Sequence, residues 1–120
     1  MYAFFAINFE RPFRNVPALL FFKLMVTLEH IQAHREEILR LARKRHTSNV
    51  RVFGSVARGS AGPESDIDIL VDTDLGCSLF DLGGLLQDLR DLFGARVDLV
   101  VAGDLKPRAR NAVLQDAVPI

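Results

Sequence analysis

A glycine-rich turn between two short apolar segments is the feature of this sequence that most restricts its fold. The β-branched segment Asn49–Phe53 runs directly into Gly54, and small residues predominate as far as Pro63. The next segment alternates acidic and apolar residues, in the order Asp66, Ile67, Asp68, Ile69, Leu70 and Val71. Alternation of this kind has the period of a β-strand and places both carboxylates on one face. The sequence therefore predicts a strand–turn–strand unit with an acidic face on its second strand.

Helical patterns lie on both sides of this unit. A helix is predicted after the N-cap residue Thr27, and its apolar face consists of Leu28, Ile31, Ile38, Leu41 and Ala42. A second helix is predicted between the cap Ser78 and the stop Gly94, with an apolar stripe of Leu79, Leu82, Leu86, Leu89 and Phe93. A third strand at Arg96–Val101 and a terminal helix from Pro107 complete the order. This order predicts a single α/β (α+β) domain in which helices flank a small sheet.

The first 24 residues differ in character from the rest. They hold six of the nine phenylalanines and follow neither the helical nor the strand period. Charged residues interrupt their apolar stretch, so neither a secretory signal nor a membrane span is indicated. Met25 then opens the patterned part of the chain. We therefore expect residues 1–24 to be an extension, residues 25–120 to form the domain, and no membrane to be a partner.

Charge and cysteine content narrow the classes of partner further. The formal net charge is zero, but basic residues predominate in residues 1–60 and acidic residues in residues 61–120. A basic surface over the whole domain is absent, so we expect no direct nucleic-acid binding. The run Arg43–His46 is interpreted as a helix C-terminus stabilised by the helix dipole, with a docking patch for an acidic partner as the alternative. The single Cys77 cannot form an internal disulfide, which favours the reducing cytoplasm.

Three carboxylates are the candidate metal ligands. Asp66 and Asp68 lie two residues apart on one strand, and carboxylates held this close repel each other unless a cation lies between them. Oxygen ligands of this kind suit Mg²⁺. Asp98 occupies a polar position between apolar neighbours in the third predicted strand. If that strand lies beside the acidic one, the three carboxylates converge, as two-metal phosphoryl transfer requires.

The glycine turn is the candidate anion site. A strand that ends in Gly54 and Ser55 and enters a turn or a short helix presents backbone N–H groups and a hydroxyl to an anion. Arg58 either adds positive charge near the phosphates or braces the turn. Each feature is common alone, but here Asp66 follows Ser55 after ten residues and a further aspartate follows one strand later. The combination favours phosphoryl chemistry.

This pattern resembles that of the polymerase β-type nucleotidyltransferase superfamily, and more narrowly that of the minimal nucleotidyltransferases, over about residues 25–120. The resemblance implies the nucleotidyltransferase fold, two Mg²⁺ ions and ATP as the substrate. It implies that Asp66 and Asp68 bind both ions and that Asp98 ligates one of them and activates the attacking hydroxyl. It also implies that the Gly54–Ser55 pair holds the triphosphate.

Minimal nucleotidyltransferases are commonly encoded beside a HEPN-domain protein, a helical toxin with RNase activity. The resemblance therefore implies an antitoxin that transfers AMP from ATP to a tyrosine hydroxyl of that toxin. One alternative is a catalytically weak binding module that neutralises a toxin by contact alone, although all three carboxylates and the Gly54–Ser55 pair are present. Another is a small-molecule nucleotidyltransferase of the aminoglycoside type, which the absence of a separate substrate domain disfavours.

Overall fold

The computed structural model describes residues 27–62 and 65–120. In chain order its elements are α1 (Leu28–Ala33), α2 (Arg35–Lys44), β1 (Thr47–Phe53), α3 (Gly54–Arg58), β2 (Ile67–Thr73), α4 (Leu79–Phe93), β3 (Val97–Val101), a 3₁₀ turn (Ala102–Asp104), α5 (Pro107–Asp116) and β4 (Val118–Pro119). The predicted α/β (α+β) class is confirmed. The predicted extension, residues 1–24, lies outside the described residues, so the domain boundary stays a prediction.

The first helical region is divided, whereas the sequence predicts one continuous helix after Thr27. His34 separates α1 from α2 because its backbone, at φ −100° and ψ 20°, leaves the helical conformation. Its Nδ1 lies 3.0 Å from the carbonyl oxygen of His30, one turn earlier. The two short helices nevertheless bury one common face, which contains Ile31, Ile38, Leu41 and Ala42.

The strands form one mixed sheet in the order β3–β2–β1–β4. β1 is antiparallel to both β2 and β4, and β2 is parallel to β3. Parallel neighbours need a long crossover connection, and α4 supplies the one between β2 and β3. This topology places the start of β2 between the end of β1 and the start of β3.

The hydrophobic core lies on one face of this sheet. Ile67, Ile69 and Val71 of β2 are buried there together with residues of α1, α2 and α4. Because side chains alternate along a strand, Asp68 points to the opposite face. Packing in the core thus fixes the orientation of β2, and its acidic face lies on the side of the sheet away from the core.

The predicted helix ends are confirmed. The hydroxyl of Thr27 accepts a hydrogen bond from a backbone N–H of α1. Ser78 and Asp81 form a reciprocal capping box at the start of α4, and Gly94 ends that helix in the left-handed conformation. Of the basic run Arg43–His46, Arg45 lies 3.3 Å from Asp88 in α4. The run is therefore used in part to join α2 to α4.

The buried face of α4 is the predicted one except at its first residue. Leu89 and Phe93 are buried as predicted and Leu86 packs against the core, but Leu85 is buried as well and Leu79 is 84% exposed. Leucine is so frequent along this helix that spacing alone does not define the edge of its buried face. α4 is the longest helix described, with 15 residues, and none of the helices within the described ranges is long and apolar enough to cross a membrane.

This difference gives a direct stability test. We expect Leu85→Ala to lower the free energy of unfolding by about 2–5 kcal/mol, because it opens a cavity in the core. Leu79→Ala should change it by less than about 0.5 kcal/mol, because the side chain already lies in water. Urea denaturation of the two variants and the wild type measures both values. Equal losses would contradict the observed orientation of α4.

Candidate active site

The glycine turn joins the end of β1 to the short helix α3. Gly54 has φ +74°, a left-handed conformation that glycine adopts without strain. Phe53 before it is extended. Within the described residues no side chain caps α3, and the hydroxyl of Ser55 forms no hydrogen bond. The turn therefore presents N–H groups and a hydroxyl that the described part of the chain leaves available.

Gly54 lies directly against the carboxylate of Asp68. A Cβ atom on Gly54 would overlap Asp68 Oδ2 and would lie 3.1 Å from Asp68 Cγ. The strand register explains this approach, because Phe53, the last residue of β1, pairs with Asp68 of β2. A phosphate held by the turn would therefore be adjacent to any cation held by Asp68.

The same register brings Asp98 beside Asp68. The two residues are paired across the parallel strands β2 and β3, so their side chains leave the same face of the sheet. Burial raises the pKa of Asp68, and the charges of Asp98 and Asp66 raise it further, whereas the charge of Arg58 opposes the shift. The neighbouring carboxylates therefore destabilise the ionised form of Asp68.

Asp66 comes immediately before β2 and is held differently. Its Oδ1 lies 3.1 Å from Nε of Arg96, yet this buried oxygen accepts no hydrogen bond. Within residues 27–62 and 65–120, no three acidic, histidine or cysteine side chains are close enough to enclose a metal ion. The structure thus brings Asp68 and Asp98 together and leaves Asp66 in an ion pair.

These observations fit a divalent cation. All the donors are carboxylate oxygens, which is the ligand set that Mg²⁺ prefers. One of these oxygens, Asp66 Oδ1, is buried without a hydrogen bond, and burial together with the charges of Asp98 and Asp66 raises the pKa of Asp68. To complete the set, Asp66 would have to turn from Arg96 toward Asp68.

Arg58 braces the turn. Its Nη1 lies 2.6 Å from Oδ2 of Asp116, near the end of α5. The guanidinium also lies close enough to Asp68 to lower the pKa of that carboxyl. This ion pair links the short helix after the turn to α5, which favours the bracing role, and a contact of Arg58 with phosphate stays a prediction.

Neither Asp116 nor Arg96 is among the site residues that the sequence predicts. No pattern links Asp116 to Arg58, because the two residues are far apart in sequence and belong to different elements. A signal for Arg96 does exist, since it precedes β3 as Asp66 precedes β2. Parallel pairing of those strands from their first residues makes Asp66 and Arg96 neighbours.

Comparison with known proteins agrees with this geometry. The nucleotidyltransferase domain family matches residues 31–120. The chain is 40% identical over 98 residues to the protein adenylyltransferase MntA of Thermococcus cleftensis, covering 78% of this chain and 96% of that protein.

Two solved structures share the fold. One, described as a minimal nucleotidyltransferase, is 44% identical with a TM-score of 0.72, covering 80% of this chain and 98% of that one. The other is an MNT antitoxin in complex with the tri-AMPylated HEPN toxin of Shewanella oneidensis, 22% identical with a TM-score of 0.56 over 73% of this chain and 69% of that one. The resemblance carried by the glycine turn and the aspartates is thus confirmed, and the chain belongs to the nucleotidyltransferase domain family as a minimal nucleotidyltransferase.

Proposed function

We propose that this nucleotidyltransferase is a Mg²⁺-dependent protein adenylyltransferase, which transfers AMP from ATP to a hydroxyl of a partner protein. The observation that supports this most directly is the position of Asp68, which lies against Gly54 and is paired with Asp98. ATP bound at the turn and an acceptor hydroxyl beside Asp98 would then both lie next to the carboxylate of Asp68. The name of the Thermococcus cleftensis relative, a protein adenylyltransferase, supports the same class of acceptor.

In this proposal the turn binds the triphosphate of ATP. The N–H groups at Gly54 and Ser55 and the Ser55 hydroxyl are suited to phosphate oxygens. Arg58, fixed by Asp116, supplies positive charge at the far end of α3. Asp66, Asp68 and Asp98 would hold two Mg²⁺ ions, which supply charge neutralisation at the reacting phosphate when they are bound.

Asp98 is the residue that we assign to the acceptor. It is exposed on the open face of the sheet, so a hydroxyl from another molecule can reach it. Its carboxylate orients that hydroxyl and accepts its proton as the oxygen attacks the α-phosphorus of ATP. A phosphorus–oxygen bond to the acceptor forms, the bond to the β-phosphate oxygen breaks, and pyrophosphate leaves.

The proposed acceptor is a HEPN-domain toxin, and the chain is its antitoxin. In the Shewanella oneidensis complex an MNT antitoxin of the same fold is bound to an AMPylated HEPN toxin, which motivates this choice. The proposal places the pair in the cytoplasm, in agreement with the single cysteine, Cys77.

Labelled ATP tests the reaction. We expect the purified chain, supplied with Mg²⁺ or Mn²⁺ and ATP labelled on its α-phosphate, to label a co-purified HEPN protein. Excess EDTA should abolish the labelling, because the carboxylates alone repel the triphosphate. Labelling that persists undiminished in EDTA would contradict the metal assignment. If the chain binds the HEPN protein without labelling it, the binding-module alternative is favoured, and if it labels only an aminoglycoside, the small-molecule alternative is favoured.

A further inference from the structure

An exposed apolar surface lies beyond the end of β2, whereas Asp68 lies near the start of that strand. Leu75, Leu79 and Phe80 are 99%, 84% and 90% exposed, and Gly83 lies one turn further along the same side of α4. We call these four residues the α4 patch. Large apolar side chains exposed together mark sites of protein interaction more often than they mark an ordinary surface.

Gly83 adds an independent observation. A glycine inside an exposed helix destabilises it relative to alanine, so its presence calls for a reason. For Gly84 the reason lies within the chain, because a Cβ atom there would collide with the guanidinium of Arg45. A Cβ atom on Gly83 would meet no described atom within 4 Å. The space at Gly83 is instead open, and the absence of a side chain lets the backbone of a second helix approach closely beside Phe80.

The charges around the α4 patch indicate the partner's chemistry. Asp74 adjoins Leu75 and is hydrogen-bonded to Ser48, and Asp91 lies further along α4, bonded to Gln87. Within the described part of the chain neither aspartate has a basic side chain in ion-pair range, unlike Asp88, which pairs with Arg45. Negative charge without a basic partner in the described residues therefore lies beside the patch at Asp74 and about 12 Å beyond it along α4 at Asp91, and such charge complements a basic partner.

A second copy of this chain fits the α4 patch poorly. Two copies would bring like charges together. Even at the ~200 Å² that an aromatic side chain contributes, three side chains reach about 600 Å², below the ~800 Å² that each partner buries in a stable complex. The patch suits one part of a larger contact with a different protein.

We propose that the α4 patch docks an amphipathic helix of the acceptor protein, with an apolar residue beside Gly83 and Lys or Arg residues facing Asp74 and Asp91. The proposal rests on the proposed function for the identity of that protein. The patch follows the end of β2, whereas Asp68 lies near its start, about 17 Å away along the strand. A small domain, ~30 Å across, spans both positions. The partner can thus be held at α4 while its hydroxyl reaches Asp98.

Binding of the purified HEPN protein encoded in the same genome tests this surface. We expect Phe80→Ser and Gly83→Ala each to raise Kd by about tenfold or more, as at other interface centres. Leu114→Ser removes an apolar residue that is 45% exposed on α5 and should bind as the wild type does. Kd for ATP should be the same in all variants. Gly83→Ala should also raise Tm by a few degrees, since alanine stabilises an exposed helix, so weaker binding by this variant would not reflect misfolding.

Several outcomes would overturn the docking surface. Wild-type Kd values for both Phe80→Ser and Gly83→Ala would do so. A wild-type dimer that Phe80→Ser dissociates would assign the α4 patch to a second copy, and a Tm lowered by several degrees in Phe80→Ser would show that the chain itself covers it. If the wild type transfers AMP and both variants bind the HEPN protein as the wild type does, the docking surface is wrong and the proposed function stands. If the variants bind more weakly but the wild type transfers no AMP, the proposed function is wrong and the docking surface stands. A wild-type chain that does not bind the HEPN protein contradicts both.

Discussion

Asp68→Asn should lower the rate of AMP transfer by about a thousandfold or more, the effect of losing several kcal/mol of charge stabilisation. Asp68 is the carboxylate that lies against the glycine turn and is paired with Asp98. Asparagine keeps its size and removes its charge. Ser55→Ala should be the milder change, because the backbone N–H groups of the turn remain. Single-turnover transfer of labelled AMP measures both, and the reverse order of the two effects would contradict the roles we assign.

The thermal stability of the metal-free protein distinguishes a role of Asp68 in AMP transfer from a role in holding the fold together. The pKa of Asp68 is raised, so the folded protein holds the proton more tightly than the unfolded chain does. Stability therefore falls as the pH rises from the ordinary aspartate value through the raised one, and at neutral pH the ionised Asp68 destabilises the fold. In EDTA at neutral pH, Asp68→Asn should melt no lower than the wild type. A clearly lower Tm would show that the carboxylate supports the fold, and the loss of transfer would then need another explanation.

Gly54→Ala should have the second largest effect, with transfer reduced by about a hundredfold or more. Two causes act together, since alanine is strained at φ +74° and its Cβ atom would overlap Asp68 Oδ2. Either the turn or the carboxylate must move, and both belong to the proposed site. The variant should also lose stability, by more than the ~1–2 kcal/mol that the left-handed conformation costs an L residue.

Gly59→Ala is the matched control. Gly59 has φ +77°, almost the same as Gly54, but a Cβ atom there would meet nothing within 4 Å. This variant should lose stability through backbone strain and keep most of its transfer activity. Thermal melts and transfer assays on the two alanine variants separate strain from displacement of the carboxylate. Equal losses of activity would show that strain alone disables the turn.

The sequence predicts much of this site because two local patterns and one topological rule suffice. The period of two places Asp66 and Asp68 on one face, and Gly54 marks the end of a strand. Since consecutive strands joined by a helix become parallel neighbours, Asp98 is brought beside Asp68. These statements need no knowledge of side-chain packing.

Contacts that depend on tertiary packing could not be predicted in this way. The ion pair of Arg58 with Asp116 joins elements that only the folded chain brings together. The exact buried face of α4 depends on how the helix fits the sheet, so Leu89 and Phe93 are buried as predicted, whereas Leu85 is buried in place of Leu79. The ion pair of Asp66 with Arg96 is an exception, because parallel pairing of β2 and β3 from their first residues makes the two residues neighbours.

The inner position of β1 has a consequence for how ATP is received. β1 has a hydrogen-bonded neighbour on each side, β2 and β4, so the strand that leads into the turn is anchored along both edges. Ordering a residue's backbone costs about 1–2 kcal/mol, and here that cost falls on folding and not on nucleotide binding. Donors that are already in place when charge develops need no rearrangement during the reaction. A site built on such a strand needs no rearrangement before it reacts, so it can modify a partner that stays bound only briefly.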